Sequence, residues 1–392
     1  MNSLEKQTID SFRSVYGSEP DCIAFAPGRV EVLGNHTDYN GGYVLSVALD
    51  LGIAVAADVR PGPVVFEIWS ESFRESVKFP LDGLRKESGS WSNYVRGVVR
   101  ELDLARVRLR ATRMVIGSSL PIGAGVSSSA ALELATAEAL HALFGGKPAK
   151  PMEEAQLCQR AEKDFVGVPC GLLDQFSSLF GKKDHALFLD CATLRYMQVP
   201  FGRDDIRVVL ADSGEKHALV DGQYASLRES CERARDHFEG ALRNDVRFLR
   251  DVSLAEFQAH SESLSPDDRR RAEHVIRENE RVLRGLASIK SKHFPELKRL
   301  MLESHASSRD LFGNSTATLD FLVEAASDLP GFLGGKLTGG GFGGSTVNLV
   351  DAGSEKTFCE LLAKRFEEKL NRSPRLIACG IGDGARGLRV SS

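Results

Sequence analysis

Apolar and polar residues follow two different rhythms along the N-terminal half of the chain. Short runs rich in Val, Ala, Leu and Ile, bounded by Gly, Pro or Asp, predict strands. Apolar residues spaced three and four positions apart predict helices between them. The predicted strands are 22–27, 43–49, 53–59, 64–70 and 105–117, and the predicted helices are 91–104, 128–143 and 152–165.

The charge pattern and the glycine content of the chain change after residue 195. A charge-rich stretch at 224–305 has a helical period, and glycine is dense at 331–344. Strands and helices nevertheless alternate in both halves, which predicts an α/β (α+β) chain of two closely packed domains, 1–195 and 196–392. The elements predicted near the C-terminus are a strand at 345–350, a helix at 355–370 and a strand at 375–381.

The composition is that of a globular protein: of 392 residues, 42% are hydrophobic and 27% are charged. The net charge of −4 argues against a nucleic-acid binder or a polybasic membrane protein, because both need a cationic face. No apolar run is long enough to span a bilayer, and the first residues lack the apolar core of a signal peptide. The seven cysteines form no C-x-x-C pair. We therefore expect a cytoplasmic protein with reduced cysteines and with no nucleic-acid or membrane partner.

Three serines at 127–129 open an Ala/Leu-rich helix after a loop that contains Gly123 and Gly125. Free N–H groups at a helix N-terminus can hold phosphate oxygens, and serine hydroxyls can add hydrogen bonds or a Mg²⁺ ligand. The segment lacks the Gly-Lys-Ser/Thr of a Walker A loop and the third glycine of a dinucleotide fingerprint. Two interpretations stay open: a phosphate loop, or an ordinary helix with Ser127 or Ser128 as its N-cap.

Polar side chains crowd the loop that precedes the strand at 43–49. A cation, a carboxylate and several hydrogen-bonding groups in one place suit a small polyhydroxylated ligand. The alternative is a hydrogen-bonded turn in which Asp38 caps a helix and His36 is exposed. The residues concerned are Arg29, Asn35, His36, Asp38 and Tyr39.

The segment 336–350 carries five glycines between 339 and 344. Glycine costs backbone entropy, so a stable fold keeps so many only where the chain needs unusual dihedral angles or close packing. A hinge or hairpin near a ligand is one interpretation, and a purely structural bulge is the other.

Asp174 lies between apolar neighbours in the segment 161–178, which also contains Glu162. A carboxylate in such surroundings is costly to bury without a partner. A cation such as Arg29 or a bound Mg²⁺ would satisfy it. A structural ion pair is the alternative.

Three segments together resemble the motifs of the galactokinases, within the GHMP kinase superfamily. The loop that ends in Ser127–Ser129 (the serine loop) and the glycine-rich segment 339–344 are common to that superfamily, mevalonate and homoserine kinases included. The motif H-T-D-Y-N-G-G is found in a narrower group of proteins, the galactokinases themselves. Other similar stretches, such as WSNYVRGVV and FVGVPCGLLDQF, extend the likeness over nearly the whole chain. The three motifs are PGRVEVLGNHTDYNGG, PIGAGVSSSAALE and LTGGGFGG.

The resemblance implies an ATP-dependent sugar kinase that phosphorylates the anomeric hydroxyl of galactose. It implies a two-domain GHMP kinase fold, with an N-terminal ribosomal-S5-like α/β domain (1–195), a C-terminal ferredoxin-like domain (196–392) and the active site between them. ATP and Mg²⁺ are implied as well. Since galactokinases are often monomeric, we expect a monomer whose partners are the sugar and ATP.

By matching position, Asp174 corresponds to the catalytic aspartate and Arg29 to the arginine beside it. Phosphoryl transfer needs positioning and charge neutralisation more than a strong base, so Asp174 could take the proton or mainly orient the hydroxyl. Arg29 would keep Asp174 ionised. Ser129 and Glu162 match the Mg²⁺ ligands.

The resemblance also assigns the binding residues for the two substrates. The sugar-binding positions are Asn35, His36, Asp38, Asp174 and Tyr224. The ATP-binding positions are Ser70, Trp91, Gly123, Ala124, Gly125, Val126, Ser127, Ser128 and Ser129.

The chain departs from the galactokinase pattern at Asn35, where the family has a glutamate that accepts a hydrogen bond from the 6-hydroxyl of the sugar. An amide keeps an acceptor, adds a donor and removes the charge. Galactose could still bind through the amide oxygen, while galacturonate or arabinose become conceivable substrates. Glu31 stands where asparagine is usual, and Lys336 stands where arginine is usual.

Two further interpretations compete with a galactokinase-type enzyme. A catalytically silent galactose and ATP sensor loses small residues in the phosphate loop, whereas residues 127–131, Arg29 and Asp174 are intact here. Another superfamily kinase, such as mevalonate kinase, predicts none of the H-T-D-Y match. We therefore predict a galactokinase-type sugar 1-kinase, with a C6-variant sugar as the alternative substrate.

Overall fold

Two β-sheets and the helices packed on them make up most of the chain. The structure is a computed structural model that describes residues 1–121, 123, 125–168, 170–215, 220–242 and 245–390. Ala124, which the resemblance assigns to ATP binding, lies outside the described residues. The strands are β1 (Cys22–Leu33), β2 (Tyr43–Val59), β3 (Val65–Ser70), β4 (Glu75–Pro80), β5 (Thr112–Ser118), β6 (His185–Asp190), β7 (Tyr196–Pro200), β8 (Ile206–Asp212), β9 (Phe332–Leu337), β10 (Ser345–Asp351), β11 (Arg375–Cys379) and β12 (Arg386–Arg389). The α-helices are α1 (Ser3–Tyr16), α2 (Ser92–Leu104), α3 (Ser128–Phe144), α4 (Pro151–Arg160), α5 (Leu173–Phe180), α6 (Val220–Leu242), α7 (Leu254–His260), α8 (Pro266–Lys290), α9 (Phe294–Ser307), α10 (Ala317–Ala326) and α11 (Glu355–Leu370).

The larger sheet has the central strand order β12-β1-β2-β5-β3-β4, with β6 paired to β2 and β7 paired to β6. Its pairs are antiparallel except β3 and β5, which run parallel. β1 is buried along all of its length because both faces of the sheet are covered. Phe12 of α1 packs on one face and Leu134 of α3 belongs to the core on the other.

β2 is a single strand of 17 residues, so the prediction of two strands at 43–49 and 53–59 is wrong. The segment between them, ending in Gly52, passes through a register shift opposite β1 instead of turning. A Cβ at Gly52 would lie 2.3 Å from the carbonyl oxygen of Ala26. Glycine at this position therefore allows close contact between the two strands where local sequence suggests a break.

The smaller sheet has the order β11-β8-β10-β9, and all of its pairs are antiparallel. Phe358 and Phe366 of α11 pack with Leu322 of α10 in the core of this sheet. The glycine-rich segment connects β9 to β10 as a hairpin. Gly339 and Gly341 have φ values of 76° and 81°, which explains why glycine is needed there.

The helices predicted at 91–104, 128–143 and 355–370 are confirmed to within one residue at each end. The strand predicted at 105–117 is wrong over its first half, since β5 begins at Thr112. The helix predicted at 152–165 is confirmed in extent to within one residue at each end, but it is α-helical only over Pro151–Arg160 (α4) and continues as a π-helix over Ala161–Val166.

The division of the chain at residue 195 stays a prediction. β7 follows that residue and still pairs in the larger sheet, and β12 returns to pair with β1. In the described part of the chain, no helix is long and apolar enough to cross a membrane.

Candidate active site

Asp174, at the start of α5, is held by hydrogen bonds from two distant parts of the chain. Arg29 of β1 donates from Nε to Asp174 Oδ1 at 2.8 Å and from Nη1 to the carbonyl oxygen of Gly125 at 2.9 Å. Ser127 donates from Oγ to Asp174 Oδ2 at 2.6 Å. The ion pair predicted for Asp174 is therefore present, and the Asp174 side chain still keeps 26% exposure. This carboxylate is fixed in place and accessible at the same time.

Ser127 precedes α3 with a φ of 56° and makes no capping hydrogen bond. The interpretation of Ser127 as an ordinary N-cap is thus wrong, because its hydroxyl points to Asp174 instead. Without that cap, the first N–H groups of α3 are available to an anion.

A cavity of about 160 Å³ opens beside Asp174. It contains every residue that the resemblance assigns to the sugar, although each residue's role remains a prediction. We call it the Asp174 cavity. It is lined by Arg29, Glu31, Asn35, His36, Asp38, Cys170, Gly171, Leu173, Asp174, Tyr224, Gly339 and Gly340.

His36 forms part of the cavity wall, so the alternative in which it is exposed is wrong. Its Nδ1 lies 3.0 Å from the hydroxyl of Tyr39, and its Nε2 lies 3.3 Å from the carbonyl oxygen of Gly340. The rings of Tyr224 and Phe312 pack against it at 5.4 and 4.4 Å between centroids. Burial, together with nearby His274 and Lys336, lowers the pKa of His36 to about 3. The imidazole is neutral at physiological pH and acts as a polar wall rather than a cation.

Asn35 lines the cavity, but most of its hydrogen-bonding capacity is used within the protein. Its Nδ2 donates to the carbonyl oxygen of Gly339 at 3.0 Å. Its Oδ1 accepts from Asn314 Nδ2 at 3.0 Å and from Ser308 Oγ at 3.2 Å, which occupies both lone pairs. In this geometry the second N–H of the amide is the group without a partner among the described residues, so binding of a sugar hydroxyl by the amide oxygen of Asn35 stays a prediction.

A second cavity, of about 260 Å³, is lined in part by Ser128 and Ser129 of the serine loop. We call it the Trp91 cavity. Phe73 stacks on Trp91 with ring centroids 5.7 Å apart and an interplanar angle of 13°, giving a flat apolar surface. Phe73 is absent from the sequence predictions, because an exposed aromatic in a loop carries no periodic signal. The residues that line this cavity include the predicted Ser70, Trp91, Ser128 and Ser129, together with Ile53, Ser72, Phe73, Tyr94, Ile116, Ser118, Leu120 and Leu132.

The remaining described residues that the resemblance assigns to ATP binding are Gly123, Gly125 and Val126. Gly123 and Gly125 have φ values of 77° and 71°, a conformation that glycine adopts without strain. Val126 is buried, and its carbonyl oxygen accepts a hydrogen bond from the backbone N–H of Arg29 at 3.1 Å. This bond fixes the serine loop to β1.

Glu162 lies in the π-helical turn after α4 and is buried. Burial raises its pKa, and so does the nearby charge of Asp174, while a hydrogen bond from Ser129 acts in the opposite direction. Two adjacent oxygen donors with an excess of negative charge are a set that Mg²⁺ accepts. The predicted pair Ser129 and Glu162 therefore fits the metal, and π-turns are often found at functional positions.

Gln175 connects two buried carboxylates behind this pair, a link that the sequence predictions lack. Its Nε2 donates to Glu162 Oε2 at 2.7 Å and to Glu133 Oε2 at 2.9 Å. Burial raises the pKa of Glu133 well above its usual range. An acidic residue within the apolar run of α3 is the only sequence signal that could have pointed to this network.

Comparisons with known proteins decide the family. Residues 10–59 match the galactokinase galactose-binding signature, and residues 93–182 match the GHMP kinase N-terminal domain. A curated galactokinase of a Roseiflexus species is 40% identical over 379 residues, which cover 96% of this chain and 95% of that protein. The chain belongs to the galactokinase family.

Two further galactokinases are similar to most of the chain, one in sequence and one in structure. Human galactokinase is 40% identical over 349 residues, or 87% of each chain. The crystal structure of Lactococcus lactis galactokinase complexed with galactose matches with a TM-score of 0.90 at 30% identity, covering 97% of this chain and 98% of that one. The predicted GHMP kinase fold is confirmed, and the chain is a sugar kinase that uses ATP. A mevalonate kinase or another branch of the superfamily is not favoured.

The three departures from the galactokinase pattern lie together in the structure. Lys336 of β9 donates from Nζ to Glu31 Oε1 at 2.7 Å, and both side chains are buried. Asn35 follows the end of β1 and donates to the carbonyl oxygen of Gly339 in the β9–β10 hairpin. Two of these departures, Glu31 and Lys336, thus form one ion pair between β1 and β9.

Gly171 provides a steric test of the Asp174 cavity. A Cβ at this residue would lie 1.9 Å from Asp38 Oδ2, so Gly171→Ala must displace the Asp38 carboxylate. Because a misplacement of about 1 Å can cost about a hundredfold in rate, we expect kcat/KM for the sugar to fall by at least about tenfold. Steady-state kinetics at saturating ATP measures the effect. Gly240→Ala, on α6 with nothing within 4 Å, is the control, and equal activities of the two variants would contradict the prediction.

The pH dependence of sugar binding gives a second test. Burial, together with the charges of Asp174 and Glu31, raises the pKa of Asp38 to about 6, against the opposing effects of a backbone hydrogen bond at Tyr39 and the charge of Arg29. As the pH falls through about 6, Asp38 takes up a proton and loses its ability to accept hydrogen bonds with both oxygens. We therefore expect kcat/KM for the sugar to fall about tenfold per pH unit below 6. The ionisable groups that face Asp38 are Arg29 and Glu31 of β1, Asp174 of α5, Tyr224 of α6 and Cys191 after β6.

The measurement is a pH profile of kcat/KM in wild type and in Asp38→Asn. The variant should be weakly active and should lack the acid limb near pH 6. An unchanged limb in the variant would assign the titration to another group.

Proposed function

We propose that this chain transfers the γ-phosphate of ATP to the anomeric hydroxyl of galactose and releases galactose 1-phosphate and ADP. One observation carries the proposal: the serine loop connects the two cavities. Ser127 bonds to Asp174 in the first cavity, while Ser128 and Ser129 line the second. A nucleotide in the Trp91 cavity would have its phosphates at the N-terminus of α3, close to a sugar beside Asp174.

The chemistry of the Asp174 cavity supports a neutral, hydroxyl-rich sugar. Three carboxylates line it, namely Glu31, Asp38 and Asp174, against the single guanidinium of Arg29, counting the described residues only. Carboxylates accept hydrogen bonds from hydroxyls but repel an anionic ligand. Galactose therefore fits better than galacturonate, and it is the sugar held in the L. lactis galactokinase structure.

We assign Asp174 to the attacking hydroxyl. It accepts a hydrogen bond from the anomeric O–H and takes the proton as that oxygen bonds to the γ-phosphorus and the bond from phosphorus to the β–γ bridging oxygen breaks. Its Oδ2 already accepts from Ser127 and keeps one lone pair for the sugar. Fixed orientation supplies most of the rate in phosphoryl transfer, so a strong base is unnecessary.

We assign Arg29 to charge neutralisation. Its guanidinium is fixed by Asp174 and by the carbonyl oxygen of Gly125, so it needs no reorganisation when charge develops on the transferred group. The backbone N–H groups at the start of α3 would act in the same way on the nucleotide phosphates.

Ser129 and Glu162 would hold Mg²⁺, which would supply positive charge to neutralise the phosphates of the nucleotide. Gln175 orients the Glu162 carboxylate from behind through its 2.7 Å hydrogen bond. Burial and the nearby charge of Glu162 raise the pKa of Glu133, the other carboxylate that Gln175 contacts.

The test is ATP turnover by the purified protein with galactose, galacturonate, arabinose, N-acetylgalactosamine and glucose, in the presence of Mg²⁺. We expect galactose to give the highest kcat/KM, and ³¹P NMR to identify the product as a sugar 1-phosphate. A higher kcat/KM for arabinose or galacturonate would assign the alternative C6-variant substrate. Binding of galactose and ATP without turnover would instead indicate a sensor.

Three other predictions belong with this proposal and need their own measurements. They are a cytoplasmic location, a monomeric state and a domain boundary at residue 195. Sedimentation analysis addresses the second, and limited proteolysis of the free and ATP-bound protein addresses the third.

A further inference from the structure

Glu31 is a buried carboxylate that the assigned machinery does not use. It lies two residues after Arg29 on β1, and its side chain is 6% exposed. Such a group needs a partner, since burying an unpaired charge is costly. Lys336 on β9 supplies one, with Nζ at 2.7 Å from Glu31 Oε1.

The second oxygen of this carboxylate has no protein partner in the described part of the chain. Only Oε1 accepts a hydrogen bond there, while Glu31 lines the Asp174 cavity. Its charge also reaches that cavity, because it contributes to the raised pKa of Asp38. Oε2 is therefore an oriented hydrogen-bond acceptor beside the space that a sugar would fill.

The strand geometry places this acceptor away from the reacting end. Arg29 and Glu31 pair with Ala48 and Ser46 in an unbroken stretch of the ladder, so their side chains leave the same face of β1. Two residues along a strand are about 6.6 Å apart. With the anomeric hydroxyl at Asp174 and Arg29, Glu31 would face the opposite side of a hexose ring.

Resting on the proposed function, we propose that Glu31, fixed by Lys336 through Oε1, accepts through Oε2 a hydrogen bond from a sugar hydroxyl remote from the anomeric carbon. Asn35 is less suited to this role, because in this geometry both lone pairs of its amide oxygen accept from Asn314 and Ser308. Glu31 is thus a specificity-determining residue for this kinase, and Lys336 is a positioning residue.

The experiment combines variants of Glu31 with galactose lacking one hydroxyl. Glu31→Asp keeps the charge for Lys336 but withdraws the carboxylate by one methylene, and Glu31→Gln removes the charge. The double variant Glu31→Gln/Lys336→Met removes both charges, so it also tests whether the ion pair alone matters. Each protein is assayed with galactose and with its 3-, 4- and 6-deoxy derivatives, and the KM for ATP and the thermal unfolding midpoint report whether the fold is intact.

We expect KM for galactose to rise about ten- to a hundredfold in Glu31→Asp and Glu31→Gln with a smaller change in kcat, since a hydrogen bond to a charged group is lost. Wild type should discriminate against one of the deoxy sugars by about tenfold or more. That discrimination should disappear in all three variants, because the missing hydroxyl then has no partner to lose.

Two results would overturn the inference. One is recovery of the wild-type KM and discrimination in the double variant, which would leave Glu31 as a counter-charge for Lys336 only. The other is deoxy-sugar ratios that stay within about twofold of wild type in Glu31→Asp, the variant designed to keep the buried ion pair. Failure of the proposed function is a separate result, because wild type would then not turn over galactose at all.

Discussion

Replacing Asp174 with asparagine is expected to lower kcat by about a thousandfold while ATP still binds. Asparagine has nearly the same shape, and its amide oxygen can still accept from Arg29. It cannot, however, accept a proton, and its amide nitrogen would turn a donor toward either Ser127 or the sugar hydroxyl. The loss therefore falls on the step in which the anomeric oxygen attacks.

Single-turnover phosphotransfer and equilibrium binding of ATP separate the two effects. The matched control is Asp58→Asn, since Asp58 is likewise a carboxylate paired with an arginine: Arg113 Nε donates to it at 3.1 Å, and neither residue lines either cavity. That variant should keep kcat within about twofold of wild type. Undiminished phosphotransfer in Asp174→Asn would remove Asp174 from the catalytic role.

Local sequence patterns predict the elements of this fold where one periodicity persists. The helices α2, α3 and α11 and the strand β10 follow from spacing alone. Patterns fail where a tertiary contact decides: the strand β2 continues past Gly52 because β1 lies against it, and no residue near Gly52 reports that contact. The change from α-helix to π-helix after Arg160 is a similar case.

The candidate site, like the fold, has features that the sequence predicts and features that depend on contacts between distant residues. The residues that the resemblance assigns to the sugar line one cavity, although their roles stay predictions. The resemblance does not predict the hydrogen-bond partners of Asn35 and Glu31, because these partners lie 273 to 305 positions away in the chain. Glu31 and Lys336 look independent in the sequence, whereas in the fold they form one buried ion pair between β1 and β9. What a side chain bonds to, rather than its type, decides whether it is free for a ligand.

Replacing Arg29 with lysine is expected to lower kcat by about a hundredfold despite the conserved charge. Arg29 uses Nε and Nη2 on Asp174 Oδ1 and Nη1 on the carbonyl oxygen of Gly125. A lysine ammonium is a single point that cannot reproduce this planar fork. Asp174 and the serine loop would then lose their common anchor, so both substrates would be held less well at the point of transfer.

The control is Arg113→Lys, which makes the same change in the Asp58 pair and should leave kcat nearly unchanged. The double variant Arg29→Lys/Asp174→Asn provides the sharper measurement. If the two residues act as one unit, its kcat should be close to that of Asp174→Asn alone, since the second change removes a partner already lost. If the losses instead multiply to about a hundred-thousandfold, Arg29 stabilises the transferred phosphoryl group independently of Asp174. The ion pair would then result from the proximity of the two residues and would not be what positions them.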